Sequence, residues 1–273
     1  MKKITFKFSA TTFIILSMMA SCSEKYTSEV KEGITIVTNE DGATLGYSTE
    51  SGVAIIAQDR YAFKDLNKNG SLDSYEDWRL PVTERAKDLA SKMSLEDIAG
   101  LMLYSSHQSI PSGSRGYGSS VYNGKPFEES GAASSDLSDG QKKFLTDDHL
   151  RHVLITSVES PAVAAQWNNN AQAFAESLYL GIPINTSSDP RHGSDSYAEF
   201  NAGAGGAISM WPGTLGIAAS FDPELMKQFG EIGSVEYRAL GITTALSPQI
   251  DLATEPRWSR FDGTMGEDPD LTT

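Results

Sequence analysis

The sequence predicts an α/β protein whose second half repeats strand, helix, strand, helix, strand, behind a helical segment and a calcium-type loop. Two observations carry the fold class. From residue 152 onward, short apolar runs alternate with segments of helical period, and crossovers of that kind place the strands parallel in one sheet. Polar residues gather in the loops that follow the strands, where a barrel keeps its chemistry.

The first element is an export signal. "MKKITFKFSATTFIILSMMASCSE" has a basic start (Lys2, Lys3, Lys7), an apolar run from about Phe13 to Ala20 and small residues before Cys22. The run is too short to span a membrane. "MASC" resembles a bacterial lipobox, in which the chain is cut before the cysteine and that cysteine is lipidated, although Met19 stands where Leu is usual. Cys22 is the only cysteine, which excludes internal disulfides and cysteine metal sites and leaves anchoring as its natural use. The expectation is a signal peptide over 1–21 and an exported bacterial lipoprotein, held by its lipid at the outer membrane and facing the periplasm or the cell surface.

The formal charge of −14 falls to −17 without residues 1–21, which hold three lysines and no acid. Nucleic acid is excluded as a partner, while neutral glycans are compatible with such a surface.

Residues 22–60 read as a linker with accessory strands ("GITIVT", "GVAII"). The next block, 61–80, contains "DLNKNGSLDSYE". Asp65, Asn67, Asn69, Gly70, Ser71, Asp73 and Glu76 take positions 1, 3, 5, 6, 7, 9 and 12 of an EF-hand calcium loop. Twelve residues wrap oxygens around one hard cation only if glycine permits the sharp turn at position 6. The expected ligands are Asp65, Asn67, Asn69, Ser71, Asp73 and Glu76, with calcium in a structural role. A sensor would pair two such loops between helices, and this chain has one copy, preceded by "VAIIAQDRYAFK", which lacks a helical stripe. The alternative is an Asx-rich turn that caps the helix after it.

Apolar residues at 82, 86, 89, 93, 98, 101 and 102 give the helical stripe that follows, and Ser94 with Asp97 forms a capping box that splits it near Met93. Residues 105–140, rich in Ser and Gly, read as one long loop. "HVLIT" is then a strand, Ser160 and Pro161 open a helix with apolar positions 163, 167, 171, 174 and 178, and Gly181 closes it before "IPINTS". Asp222 and Pro223 open a second helix, with 225, 229, 232 and 235 on one face and Gly241 at its end, before "ITTALSPQIDLA". A dinucleotide fold would place glycines between the first strand and its helix. That turn is "SVESPAVAA", so a barrel fits better.

Several stretches together resemble glycoside hydrolase family 3: "DLASKMSLEDIAGLM", "SSDPRHG", "MWPGTLGIAASFDPELMKQFGEIGSVEYRALGI" and "PQIDLATEPRWSRFDGTMGEDP". They follow the family's order over residues 61–273. The resemblance implies a retaining, exo-acting β-glycosidase, commonly a β-glucosidase or β-xylosidase, built on a (β/α)₈ TIM-type barrel. Residues 81–273 would form the N-terminal part of that barrel, incomplete, with about three strand–helix units. By resemblance Asp189 accepts hydrogen bonds from hydroxyls of the terminal sugar, and Arg260 donates to the same ring. Turn capping before Pro190 is the plainer role for Asp189, and an ion pair with Glu267 or Asp268 the plainer one for Arg260. His192 is expected to fix a loop. Ser259 stands where the family commonly has Gly, and Gly263 where many members have Glu, which leaves sugar preference open.

Retaining hydrolysis needs a nucleophile and an acid/base, both carboxyl groups. The resemblance places both after Thr273, so no catalytic residue is expected within this chain and no cofactor is expected for catalysis. The competing expectation is a calcium-stabilised, non-catalytic glycan-binding surface lipoprotein, or the product of a decayed gene.

Overall fold

The computed structural model describes residues 24–112, 121–188, 208–246 and 248–272. At its centre is a parallel sheet of four strands, β6 (Gln108–Ile110), β9 (His152–Val158), β10 (Asn185–Ser188) and β11 (Thr244–Ala245), in spatial order β11-β10-β9-β6. Each strand lies beside the one that precedes it in this series. A doubly wound sheet reverses direction at a switch point, whereas a barrel proceeds in one direction around its circumference. The unreversed order is that of a partial barrel.

The crossovers follow from local chemistry. Ser160 accepts a hydrogen bond from the Val163 N–H at 3.3 Å and caps α5 (Pro161–Ser177). Asp222 does the same for α7 (Pro223–Ala239), accepting from Glu224 N–H at 3.0 Å. In both helices Pro at the first position costs no hydrogen bond, because that N–H has no helical partner. Gly241 (φ +85°) ends the second crossover, and a Cβ there would come within 2.6 Å of Asn168.

The core lies between sheet and helices. Val153, Ile155, Ala164, Trp167, Ala171, Ala175, Leu240 and Ile242 are buried together, with Val163, Phe174 and Leu178 packed at the margin. The expected stripe of α5 is therefore the face that packs. For α7 the expected face is corrected: Gly233 and Tyr237 are buried, whereas Ile232 and Val235 are exposed. The small glycine at 233 marks the side that meets the sheet, and apolar size alone pointed elsewhere.

Two further differences concern the strands. The expectation of three strands and one long loop over 105–140 is corrected by β6, which pairs with β9, by the small hairpin β7 (Val121–Tyr122) and β8 (Lys125–Pro126), and by α3 (Phe127–Ser130) and α4 (Asp139–Thr146). Strands of two or three residues are too short to show alternation. Conversely, among the described residues of "ITTALSPQIDLA" only Thr244 and Ala245 pair in the sheet.

Ahead of the sheet, β1 (Tyr26–Lys31), β2 (Ile34–Asn39) and β3 (Thr44–Ser48) form an antiparallel sheet, and β4 (Ala54–Gln58) pairs with β5 (Tyr61–Asp65) as a hairpin that leads into the 65–76 loop. No helix enters that loop. The split near Met93 is present between α1 (Val82–Lys92) and α2 (Leu95–Leu101), and the capping box of Ser94 and Asp97 is formed. No residue of α1 is buried. Among the described residues, no helix is long and apolar enough to cross a membrane.

Candidate functional site

The two ends of the parallel sheet differ in chemistry. At the C-terminal end of β11 the chain leaves the sheet at Leu246, and the loop that follows carries Gln249, Glu255, Arg257, Trp258 and Arg260. Arg260 is exposed. Its Nε and Nη2 donate to Gln249 Oε1 at 3.3 and 3.1 Å, while Gln249 Nε2 donates to the Arg260 carbonyl at 3.1 Å. No carboxylate among the described residues pairs with it, so the expected alternative of a bridge to Glu267 or Asp268 is not formed. Arg257 is paired instead, with Glu255 at 2.7 Å. The Arg257 side chain and then its backbone N–H hold the Glu255 carboxyl down to about 2.

Ser188, the last residue of β10, is fully buried, and its hydroxyl has no hydrogen-bond partner among the described residues. Asp189 comes next in sequence. Asp189 and His192 lie outside the described residues, as does Cys22. Among the expected sugar-site residues, only Arg260 is therefore placed. Sequence reasoning missed Gln249, for which the one available signal was its presence within the "PQIDLATEPRW" stretch.

The 65–76 loop belongs to the other end of the sheet. A helix that crosses between parallel strands runs back, so its C-terminus lies beside the strand N-termini. Lys68 Nζ donates to the carbonyls of Glu176 and Ser177 at the end of α5, at 3.2 and 3.1 Å, and Lys64 pairs with the Glu176 carboxylate. Cations at a helix C-terminus meet the negative end of its dipole. Leu66 packs against Gly181, where an added Cβ would approach it to 3.0 Å.

Within the loop, Gly70 takes φ +77° at the sharp turn. Asp65 accepts from the N–H groups of Asn69 and Gly70 at 3.0 and 2.9 Å, and Glu76 from those of Leu66 and Asp73 at 2.7 and 3.0 Å. Asp73 accepts from the amides of Asn67 and Asn69 at 2.6 and 2.8 Å and from Lys92 Nζ at 2.9 Å. Burial alone would raise the Asp73 pKa, but Lys92 and the two amides outweigh it and hold the carboxyl below its ordinary range. The Ser71 N–H donates to Asn69 Oδ1 at 2.7 Å. The side chains of positions 1, 3, 5, 9 and 12 thus fold inward on a web of N–H donors. Among the described residues, no group of three or more His, Cys, Asp or Glu is arranged as a metal site.

A parallel sheet in unreversed order, with helices crossing between its strands and a polar loop beyond a strand C-terminus, is consistent with part of an α/β barrel. Within that class the assignment is specific. The profile described as the glycosyl hydrolase family 3 N-terminal domain matches residues 127–273, and the chain belongs to that family.

It is 45% identical over 222 residues to the periplasmic beta-glucosidase/beta-xylosidase of Dickeya chrysanthemi, a match covering 81% of this chain and 31% of that protein. It is 37% identical over 212 residues to beta-glucosidase C of Emericella nidulans, covering 77% and 31%. A solved glycoside hydrolase family 3 beta-N-acetylglucosaminidase from Paenibacillus is 20% identical with a TM-score of 0.48, over 66% of this chain and 29% of that one. The chain spans a little under a third of the length of these curated relatives.

Proposed function

We propose that this chain is the N-terminal part of a retaining, exo-acting β-glycosidase of β-glucosidase type, which removes terminal β-linked sugars from oligosaccharides or glycans. The observation that carries the reading is Arg260, exposed beyond the C-terminal end of a parallel strand and paired with no carboxylate among the described residues, in a chain of this family. An unneutralised guanidinium is a strong donor to sugar hydroxyls, at about 1.5–3 kcal/mol for each hydrogen bond to a charged group. Asp189, next after the end of β10, is the proposed acceptor for hydroxyls of the same ring. These two groups bind and orient the sugar. The nucleophile and the acid/base, carboxyl groups about 5–5.5 Å apart in a retaining site, are assigned to sequence after Thr273, consistent with the fraction of the relatives that this chain spans.

The test uses the full-length gene product. Asp189→Asn and Arg260→Ala are each expected to lower kcat/KM on aryl β-glucosides and β-xylosides at least about tenfold, the loss of some 1.4 kcal/mol of transition-state binding. Unchanged kinetics in both variants would overturn the assignment.

Two accompanying proposals concern the rest of the chain. Export and a lipid anchor at Cys22 are supported by the N-terminal sequence and by a relative named as periplasmic. Calcium as a structural ion in the 65–76 loop is supported by the residue types at the ligand positions and by the turn at Gly70. An incoming cation would compete with Lys92 for Asp73.

A further inference from the structure

We propose that Gln249 is the positioning residue for Arg260: its neutral amide fixes the guanidinium in place and leaves the arginine's full charge for the ligand. The inference rests on the reading of Arg260 as a sugar-binding group.

The geometry is reciprocal. Gln249 Oε1 accepts from both Nε and Nη2 of Arg260, at 3.3 and 3.1 Å, and its Nε2 donates to the carbonyl of the same residue at 3.1 Å. One amide therefore grips both side chain and main chain of Arg260. A free arginine gives up rotamer entropy when it is immobilised, and one already held along its Nε edge gives up less when a ligand arrives. The Nη1 edge takes no partner among the described residues and remains for the ligand.

The residue type matters as much as the contact. A carboxylate at 249 would bind the guanidinium more tightly through a charge-assisted pair, but it would also draw on the charge that makes Arg260 a strong donor to a neutral sugar. Glutamine orients without neutralising.

The surroundings are shaped for this amide. A Cβ on Gly263 would come within 2.9 Å of Gln249 Oε1, so any side chain at 263 displaces it. The turn that holds Gly263 is itself fixed, because Thr214 Oγ1 on α6 (Thr214–Ala218) donates to the Gly263 carbonyl at 3.0 Å. Thr214 on α6 thus holds the turn whose Gly263 faces Gln249.

The experiment compares Gln249→Ala, Gln249→Glu, Gly263→Ala, Arg260→Ala and the double variant Gln249→Ala/Arg260→Ala in the full-length gene product. Its readouts are hydrolysis of aryl β-glucoside and β-xyloside and thermal melting. Gln249→Ala and Gly263→Ala should each lower kcat/KM about fivefold, mainly through KM, and the double variant should be no worse than Arg260→Ala alone, the mark of two residues acting as one unit. Gln249→Glu is the decisive variant: it should melt at or above the wild-type temperature because it gains an ion pair, yet lose kcat/KM like the alanine variant. A merely structural contact would predict the reverse, with Gln249→Glu retaining activity, and that result would overturn the proposal. So would losses that simply multiply in the double variant. If Arg260→Ala itself leaves turnover unchanged, or the wild type shows none, the sugar-site reading beneath the proposal fails first, and the proposal with it.

Discussion

At the scale of single residues, the polar atoms inside this fold are placed to join elements rather than to decorate them. Asn168 on α5 is the plainest case. Its Nδ2 donates to the Leu240 carbonyl at 2.8 Å and to the Ala164 carbonyl at 3.1 Å, and its Oδ1 accepts from Thr186 Oγ1 on β10 at 2.6 Å. One buried amide thus ties a helix to its neighbouring strand and to the end of α7. Asn168→Ala would leave the Thr186 hydroxyl and the Leu240 carbonyl without that partner, at about 2–3 kcal/mol for buried groups left unpaired. The expected outcome is a fall in Tm of several degrees, with much of the loss shared by Thr186→Val in a double-mutant cycle. Full additivity of the two variants would show that they do not act together. None of this was legible in the sequence: Asn168 and Leu240 are far apart along the chain, and an asparagine beside the apolar stripe of a helix carries no sign of its partners. Gln249 escaped notice for the same reason, since its role exists only once the loop brings Arg260 back to it.

Elements were more legible, and the reason is locality. The boundaries marked by Ser94 with Asp97, Ser160 with Pro161, and Asp222 with Pro223 are where the helices begin, because a cap is made by residues two or three positions apart. The face of α7 and the existence of β6 depend on the sheet, and there sequence pattern misled or was silent. The N-terminus of α2 also carries a pH dependence. Burial would raise the pKa of Asp97, but the Ser94 N–H, the His149 ring and the Ser94 hydroxyl together outweigh it and lower it from an ordinary value of 3.8. A carboxyl lowered by folding stabilises the fold above its unfolded value, and that contribution is lost as pH falls through the folded value. Because Asp97 also pairs with His149 Nδ1 at 2.6 Å, the cap and the approach to β9 should loosen together below about pH 4, the ordinary carboxylate range. Melting curves from pH 6 to pH 3 should therefore slope downward less in Asp97→Asn than in wild type. Equal slopes would remove Asp97 from the account.

For the molecule as a whole, bracing and binding fall at opposite ends of one sheet. The 65–76 loop touches α1 through Lys92 on Asp73 and the end of α5 through Lys68 on its last carbonyls, while Lys64 on β5, just before it, pairs with Glu176 of α5. If calcium closes this loop, only the folded state assembles the site, and the ion stabilises the whole fold by mass action. The full-length gene product should then melt at a higher temperature in calcium than in chelator, and the Asp65→Ala/Glu76→Ala variant should lose that difference. Identical melts in calcium and chelator would leave the loop as a turn held by its own hydrogen bonds.

The order β6, β9, β10, β11 has a consequence for the sequence of events in folding. Each strand of this sheet finds its partner in the sheet strand that precedes it, with one connection to close, and no earlier pair must open to admit it. Assembly can proceed strand by strand from the N-terminal end. At each stage the edge of the newest strand is the one that the next strand will cover.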